Sequence, residues 1–275
     1  MSYAPRWAII TSDHIRHRYF ANELSIHPSV HALIVEPKAR NPGDNHYGNS
    51  EDAVLLARYF GDRDASEGRI LGGGSSWSLR QPLEIREVPK GSINDRQVVD
   101  RLVASGISHC LIFGSSWLKI PWLTAFPGKL FNLHLGLSPY YRGVGTNFWP
   151  LYDGLPEYVG ATVHRLDVGI DTGPILFHVR PEPAADDDAH SMGNKTIAKA
   201  TRALCTQLEH LPTMPITPQW SDDDRGSSFR AKDFDAMALA TMLRRLRDGM
   251  MRDYVRDLAE RAGRMRLVNE YESIA

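Results

Sequence analysis

Residues that could catalyse group transfer lie close together in one stretch of the chain, Phe131–Phe177. Asn132 and His134 are two residues apart at the end of an apolar run, so in a strand their side chains point to the same side. Open α/β sheets bind ligands at the carboxyl ends of their strands. Asp171 lies in the glycine-bracketed turn Gly169–Gly173, from which a carboxylate can reach that edge. An amide, an imidazole and a carboxylate suit acyl transfer, because they can polarise a carbonyl oxygen, move a proton and orient the imidazole.

These residue types alone leave a structural interpretation open. A single histidine at a strand end often only completes a hydrogen-bond network, and Asp167–Gly173 could be no more than a turn. His14 and His17 could suggest a metal, but no third ligand stands at a useful spacing in the sequence. Gly72–Ser76 lacks the Gly-Lys-Ser/Thr ending of a phosphate-binding loop, so we expect a disordered insertion there rather than a nucleotide site or a lid.

The elements that must position these residues follow from the pattern of apolar side chains. Short β-branched or apolar runs alternate with amphipathic stretches through the first two-thirds of the chain. This alternation predicts a doubly wound, mostly parallel α/β sheet covered on both faces. The predicted strands are Trp7–Thr11, His31–Glu36, Leu83–Val88, His109–Gly114, Leu130–Leu135, Gly160–Leu166 and Ile175–Val179. The predicted helices are His17–Ile26, Glu51–Tyr59, Asn94–Ala104 and His190–His210.

Two long loops and a C-terminal extension complete the predicted organisation. The loops are Pro37–Ser50 and Gly61–Gln81, and long loops in a compact domain are functional or mobile. We expect the catalytic domain over residues 1–210. Residues 211–275 are expected to form a linker and a helical extension that packs on the same domain or forms the interface of a homodimer. The apolar residues of the extension recur at helical intervals and are Phe234, Met237, Met242, Leu246, Met250, Tyr254 and Leu258.

Composition limits the classes of function. With 32 Lys+Arg against 33 Asp+Glu, the formal net charge is −1, which argues against a chain that wraps nucleic acid. No apolar run approaches the roughly 18 residues of a membrane-spanning helix, and the first residues do not resemble a signal peptide. Two cysteines make neither a disulfide framework nor a zinc cluster, and Cys110 is expected to pack as a small buried hydrophobe. We therefore expect a cytoplasmic protein without a metal or a membrane partner.

The stretch that holds the candidate catalytic residues resembles the signature of the folate-dependent formyltransferases. The matching elements follow one another in the family's order and spacing, and the weaker strand–helix pattern extends the likeness to roughly residues 1–210. One element departs from the family's Ser-Leu-Leu-Pro, because Gly136 and Ser138 replace its first serine and second leucine. The matching elements are Asn132–His134, Gly136–Pro139, Tyr141–Gly143, Gly160–Thr162 and Asp167–Gly173.

The resemblance implies a Rossmann-like formyltransferase domain that moves a formyl group from 10-formyl-tetrahydrofolate to a primary amine, without a metal or a covalent enzyme intermediate. Asn132 would donate to the formyl oxygen. His134 would stabilise the same tetrahedral centre and help to move the amine proton. Asp171 would hold His134 and an ordered water in line.

The resemblance also implies a folate pocket, built from main chain before the catalytic strand and from the loop that leads to Asp171. Trp117 stands where many relatives carry aliphatic residues, which bears on the shape of that pocket. Its alternative is ordinary core packing. The implied folate-binding residues are Ser116, Trp117, Leu118, Val168, Gly169 and Ile170.

The identity of the amine depends on where the sequence departs from each branch of the family. Thr11–Arg18 lacks the glycine- and serine-rich phosphate loop of glycinamide ribonucleotide enzymes, and the tail is shorter and more helical than the β-barrel of methionyl-tRNA formyltransferases. What remains is the branch that formylates small amines, above all nucleotide-linked amino sugars. Hydroxyornithine in siderophore synthesis is the near alternative, and a non-catalytic folate-binding protein of the same fold is the distant one. The candidate substrate-binding residues are Arg16, Tyr140, Tyr141 and Arg142.

Overall fold

The computed structural model describes residues 4–38, 50–80, 83–220 and 227–272. Seven strands form one sheet in the order β3-β2-β1-β4-β5-β7-β8. Its first five strands are parallel, and β7 and β8 run antiparallel to their neighbours. The doubly wound, mostly parallel sheet predicted from the sequence is therefore confirmed. The strands of this sheet are β1 Trp7–Thr11, β2 Val30–Val35, β3 Glu84–Glu87, β4 His109–Ile112, β5 Leu130–His134, β7 Ala161–Arg165 and β8 Ile175–Val179.

Helices cover both faces of the sheet, because successive strand side chains point to opposite sides. Trp7 and Ile9 belong to a core shared with α1 and α6, whereas Ala8 and Ile10 belong to a core shared with α3 and α4. The described helices are α1 Ile15–Leu24, α2 Glu51–Ile70, α3 Arg96–Ala104, α4 Ile120–Ala125, α5 Trp149–Asp153, α6 Ala189–Gln207, α7 Ala236–Arg247, α8 Met250–Arg256 and α9 Leu258–Ala262.

The first half of the predicted loop Gly61–Gln81 is helical, so that prediction is wrong. Helix α2 continues to Ile70, and the Ser50 side chain caps its start by accepting from the Ala53 amide. Gly61 and Gly68 lie within this helix, where a glycine costs about 1 kcal/mol relative to alanine. The helix continues because its inner face is anchored on α6, where Asn194 Nδ2 donates to Ser66 Oγ at 3.1 Å.

Gly72–Ser76 is ordered, which contradicts the predicted disordered insertion. A short 3₁₀ turn at Gly72–Gly74 packs on α1, where a Cβ on Gly74 would stand 2.9 Å from the Tyr19 nitrogen. The Asn22 side chain donates to the Ser76 carbonyl at 2.9 Å. The turn therefore belongs to the helical layer. Most of the other predicted loop, Pro37–Ser50, lies outside the described residues.

The C-terminal extension packs against the rest of the chain. Most residues of its predicted apolar stripe pack in one core with aromatic residues of the stretch Phe131–Phe177, among them Tyr140, Tyr141 and Trp149. Met237 is the exception at 75% exposed. The stripe thus packs within the chain, which was one of the two expected arrangements, and a homodimer stays a prediction. Two short strands, β6 Tyr141–Gly143 and β9 Ser227–Phe229, pair in parallel and join the extension to the catalytic stretch.

Two further expectations concern burial. Cys110 is fully buried, as predicted, and burial raises the pKa of its thiol. Within the described ranges, the helices lack the length and apolar character needed to span a bilayer.

Candidate active site

Strand β5 brings Asn132 and His134 to one edge of the sheet, as the two-residue spacing predicted. Asn132 is half-buried and His134 is 6% exposed. The antiparallel neighbour β7 places His164 opposite Asn132 and Thr162 opposite His134. The two strands therefore present four polar side chains in register at the carboxyl end of β5.

His134 lies between two oxygen acceptors. Its Nδ1 is 3.3 Å from Asp171 Oδ2, and its Nε2 is 3.0 Å from the Tyr141 carbonyl oxygen. Burial lowers the pKa of His134, and the Asp171 carboxylate and the Tyr141 carbonyl only partly offset this effect. A neutral imidazole can donate to only one of these oxygens. The site therefore has an acceptor ready for a second proton on His134.

His164 is a site residue that the sequence analysis missed. Its Nδ1 is 2.9 Å from the Arg165 carbonyl oxygen, and its Nε2 is 3.6 Å from Asp171 Oδ1. When the ring is neutral, the contact with the carbonyl assigns the proton to Nδ1 and leaves Nε2 as an acceptor. Asn132 Nδ2 donates to that Nε2 at 3.1 Å. This hydrogen bond to His164 fixes the orientation of the Asn132 amide. The signal was present, because alternation along the predicted strand places Thr162 and His164 on the same side.

Asp171 is held in a conformation that few non-glycine residues adopt, with φ at 52°. Asp167 shapes the loop by accepting from the Gly169 amide at 2.9 Å and the Thr172 hydroxyl at 2.7 Å. Burial raises the pKa of Asp171, but His134, His164 and the Gly143 amide outweigh it and lower this pKa to about 2. Asp171 is thus an anion that faces both His134 and, at 3.5 Å, the Asn132 amide nitrogen.

Gly136 explains how the His134 ring fits. A Cβ at this position would lie 2.6 Å from His134 Nε2 and 2.7 Å from the Tyr141 carbonyl oxygen. The replacement of the family's serine by glycine therefore makes room for the contact between His134 and Tyr141. Thr162 fixes the same turn, since its hydroxyl accepts from the Ser138 amide at 2.8 Å and donates to the Gly136 carbonyl.

A cavity of about 480 Å³ opens on Asn132 and His134. Its far end is charged and is formed by Arg16, Lys38, Arg63 and Glu67. This volume lies within the range of small-molecule sites, about 300–1,000 Å³. The cavity therefore joins the polar catalytic edge to a group of cations and one carboxylate.

The charged end of the cavity carries three cationic side chains, Arg16, Lys38 and Arg63, but only one carboxylate among the described residues that line it, Glu67. Glu67, with its side chain 3% exposed, pairs with Arg16 and lies 3.8 Å from Arg63 Nε. Burial, with help from Arg16, lowers the pKa of Lys38 to about 8, and burial followed by Arg16 and Arg63 lowers that of His14 to about 4. An anion bound here would relieve the repulsion among these cations.

The predicted substrate-binding residues fall into two groups. Arg16 lines the cavity. Tyr140 and Tyr141 are buried, and their hydroxyls bond to the Arg266 carbonyl at 3.1 Å and to Asp153 Oδ2 at 2.7 Å. Arg142 is half-buried beside the site and does not line the cavity. The structure thus brings Arg16 to the cavity. The hydroxyls of both tyrosines are instead engaged by other parts of the chain, a role that their position in the sequence did not reveal.

The predicted folate-binding residues lie on two loops and do not line this cavity. Trp117, Val168 and Ile170 are 54%, 71% and 53% exposed. Leu118 is core, and Ser116 donates its amide to Glu36 Oε2 at 3.0 Å. Gly169 is held close to Thr172, where a Cβ would be 3.0 Å from Thr172 Cγ2.

A solvent-exposed tryptophan excludes the alternative that Trp117 is simply core. Exposed apolar side chains in the loops before β5 and before Asp171 offer a surface for an aromatic ring. Elsewhere, no group of three His, Cys, Asp or Glu within the described ranges is placed to hold a metal ion.

Comparison with known proteins finds a family match over part of the chain. Residues 109–208 match the family described as "Formyl transferase", a segment that holds Asn132, His134 and Asp171. The chain is 29% identical over 154 residues to methionyl-tRNA formyltransferase of Trichlorobacter lovleyi. This alignment covers 54% of this chain and 46% of that relative. It therefore spans less than half of the length of this curated relative.

Solved structures share the fold. A sugar N-formyltransferase from a Shewanella species superposes with a TM-score of 0.55 at 15% identity, covering 88% of this chain and 87% of that one. The N-formyltransferase from Helicobacter canadensis, in complex with folinic acid and dTDP-3-aminofucose, gives 0.53 at 16% identity, covering 88% and 80%. These likenesses show a shared fold over most of the chain, and residues 109–208 match the formyl transferase family model.

Proposed function

We propose that this protein transfers a formyl group from 10-formyl-tetrahydrofolate to the primary amine of a small molecule. The observation that carries the proposal is the convergence of Asn132, His134 and Asp171 at one edge of the sheet, with two of them open to a cavity. The contacts of Asp171 with His134 and Asn132 also argue against a non-catalytic folate-binding protein. Folate binding alone would not need an ionised Asp171 beside a neutral His134.

The amide of Asn132 stabilises the formyl oxygen as it gains charge. One amide proton stays on His164 Nε2, and the other exchanges its long 3.5 Å contact with Asp171 for the formyl oxygen. Because the amide is oriented before the reaction, little reorganisation is needed at the transition state. Removing one such donor typically costs about 10²–10³ in rate.

His134 accepts the proton that the amine loses. The amine lone pair forms the new N–C bond to the formyl carbon, the bond from that carbon to the folate nitrogen breaks, and the folate nitrogen takes a proton. The imidazolium form of His134 donates to both Asp171 and the Tyr141 carbonyl, which are already in place. Asp171 thus stabilises the charged intermediate form of the ring.

The residues of the folate loops fit a flat, partly apolar ligand. Trp117, Val168 and Ile170 expose apolar surface, and the loop that carries two of them ends at Asp171. A ring bound there would cover this surface. When bound, 10-formyl-tetrahydrofolate supplies the formyl carbon, and Asp167 keeps the loop shaped for it through Gly169 and Thr172.

For the amine, we favour a nucleotide-linked amino sugar. Arg16, Arg63 and Lys38 at the far end of the cavity suit a phosphate-bearing group, while the catalytic end takes the amine. The related Helicobacter canadensis protein was solved with a nucleotide-linked amino sugar, which supports this choice.

Hydroxyornithine remains the second candidate because of Glu67. This buried carboxylate beside two arginines offers both signs of charge, which suits the ammonium and carboxylate of an amino acid. A cytoplasmic location, homodimerisation and the absence of a nucleic-acid partner stay predictions.

The two amines are distinguished by steady-state kinetics with mass-spectrometric detection of the formylated product. Arg63→Ala should raise KM for a nucleotide-linked amino sugar about tenfold or more, with KM for the folate unchanged, since each lost charge-assisted contact is worth about 1.5–3 kcal/mol. Arg58→Ala is the matched control, because Arg58 is on the same helix with its side chain 81% exposed.

Turnover of hydroxyornithine that is weakened by Glu67→Gln would favour the second candidate. Formylation of methionyl-tRNA in the same assay, with neither small amine accepted, would overturn the proposed substrate class.

A further inference from the structure

We propose that Gln219 is a positioning residue for the carboxylate of Asp171. The proposal rests on the proposed formyl transfer only for its kinetic consequences. Gln219 Nε2 donates to the Asp171 carbonyl at 2.6 Å and to the Gly173 carbonyl at 2.8 Å. Gln219 belongs to the segment that the sequence suggested was a linker, so its contact joins the C-terminal extension to the catalytic loop.

The catalytic loop needs an external support. Asp171 has a positive φ of 52°, a conformation that persists only where surrounding contacts determine it. Contacts from Asp167 hold Gly169 and Thr172, on the N-terminal and C-terminal sides of Asp171, from within the loop. The amide of Gln219 bridges the two carbonyls that flank Thr172, and so fixes the direction in which the loop leaves Asp171.

Gln219 is itself anchored close to the loop. Thr217, two residues earlier, exchanges two main-chain hydrogen bonds of 2.8 Å with Ile175, the first residue of β8. The oxygen of Gln219, Oε1, is buried without a hydrogen-bond partner in the part of the chain that the structure describes. Because only its amide nitrogen is used, the side chain acts as a two-pronged donor to the loop.

The other side of the same carboxylate is supported by the same extension. Gly143 donates its amide to Asp171 Oδ2 at 3.1 Å. Strand β9 pairs with the strand of Gly143, and Val144 donates to the Phe229 carbonyl at 2.9 Å. Gln219 therefore fixes the backbone of Asp171 while β9 fixes the loop that binds its carboxylate.

Displacement of Asp171 has a defined electrostatic consequence. The charged or titratable groups that face His134 are Asp171, which raises its pKa, and His164 and Arg142, which lower it. A carboxylate that drifts away from Nδ1 no longer opposes the lowering of this pKa by burial, His164 and Arg142, and only the Tyr141 carbonyl still raises it. The pKa of His134 should then fall, and the ring should lose its orientation.

The test uses Gln219→Met, which keeps length and burial but removes both donors. We expect kcat to fall about 10- to 100-fold, since a misplacement of order 1 Å costs about 10²-fold, while KM for the amine changes little. The acid limb of the kcat profile should move to lower pH. Gln219→Asn, too short to reach both carbonyls, should give a smaller effect and serves if the first variant does not fold.

Thr217→Ala is the matched control, because it alters the same segment but leaves the main-chain bridge to Ile175 intact. It should retain the wild-type kcat and pH profile. A purely structural role for Gln219 would lower thermal stability but leave kcat per folded molecule and the pH profile unchanged, and that result overturns the proposal.

An NMR titration of His134 in the absence of any substrate separates this proposal from the proposed function. A lowered pKa of His134 in Gln219→Met supports positioning even if no amine is formylated by the wild type. An unchanged pKa, with the protein folded, contradicts positioning even if the wild type is active.

Discussion

At the scale of single residues, the site depends on four side chains that fix one another. His164 orients Asn132, Asp171 faces both Asn132 and His134, and His134 is held between Asp171 and a main-chain carbonyl. Groups that act as a unit give non-additive losses when they are removed one at a time. We therefore expect single substitutions at these positions to cost similar amounts, and double substitutions to cost little more.

The first prediction concerns pH. Since the pKa of Asp171 is about 2, this residue stays ionised across the working range, and the acid limb of kcat reports His134. In the proposed reaction the neutral ring accepts the proton of the amine, so kcat should fall as pH drops below the ordinary range of a histidine. Asp171→Asn removes the group that raises the pKa of His134, so kcat should decrease and the acid limb should move to lower pH. A limb that stays in place or moves to higher pH would contradict this account.

The second prediction concerns the space around His134. Gly136→Ala adds a methyl group that would lie 2.6 Å from His134 Nε2, so the ring must move away from the Tyr141 carbonyl. We expect kcat to fall about 10- to 100-fold with the fold retained, because small misplacements of reacting groups are costly. Initial-rate kinetics together with circular dichroism check this. Wild-type kcat in a folded Gly136→Ala protein would show that the ring position is not critical.

The sequence revealed those residues whose role follows from alternation and a local signature. Asn132, His134 and Asp171 are such residues, and the structure brings them together. Glu67 and Gln219 were missed, because each acts through a partner about 50 residues away in the chain. No local pattern encodes contacts of that kind. His164 could have been found, since its strand was predicted and only its register with β5 was lacking.

At the scale of elements, the incorrect loop prediction for Gly61–Gln81 explains why Arg63 and Glu67 were not predicted to line the cavity. Assigning Gly61–Gln81 to a loop removed Arg63 and Glu67 from any ordered surface, whereas the helix that continues to Ile70 projects both into the cavity. This helix contains two glycines, Gly61 and Gly68. Their cost of about 1 kcal/mol each is smaller than what packing of a long amphipathic helix contributes.

The third prediction tests whether the glycine-rich turn after α2 is packed. Gly74→Ala would force a methyl group against the backbone of α1, with 2.9 Å to the Tyr19 nitrogen. Overpacking of this kind costs about 1–3 kcal/mol, so the melting temperature should fall by several degrees. Gly72→Ala is the matched control in the same turn, because nothing lies within 4 Å of its Cβ position. Equal thermal stability of the two variants would contradict the packed turn.

At the scale of the whole molecule, the C-terminal extension shares a core with the stretch Phe131–Phe177. Tyr140, Tyr141 and Trp149 pack with residues of α7 and α8, among them Leu239 and Met242. The amphipathic period of the extension was visible in the sequence, but its partner was not, because an apolar stripe fits its own domain and a second subunit equally well.

The fourth prediction follows from this shared core. Leu239 is fully buried, so Leu239→Ala should lower the free energy of unfolding by about 2–5 kcal/mol. Since the core is shared, tryptophan fluorescence and formyl transfer should be lost at the same denaturant concentration. Met237→Ala, on the same helix at a position 75% exposed, should behave as the wild type. Loss of the extension in a separate transition that leaves activity intact would show that the two parts are independent.

The proposed function assigns the transfer of a formyl group from folate to an amine to Asn132, His134 and Asp171. The most direct measurement is the rate at which purified protein forms an N-formylated product from 10-formyl-tetrahydrofolate and a nucleotide-linked amino sugar or hydroxyornithine, for the wild type and for Asn132→Ala. We expect turnover by the wild type and a rate about 10²–10³ lower in Asn132→Ala, with folate binding retained. Formyl transfer at an equal rate in the folded variant, or no transfer to any amine by a folded wild type that binds the folate, would contradict it.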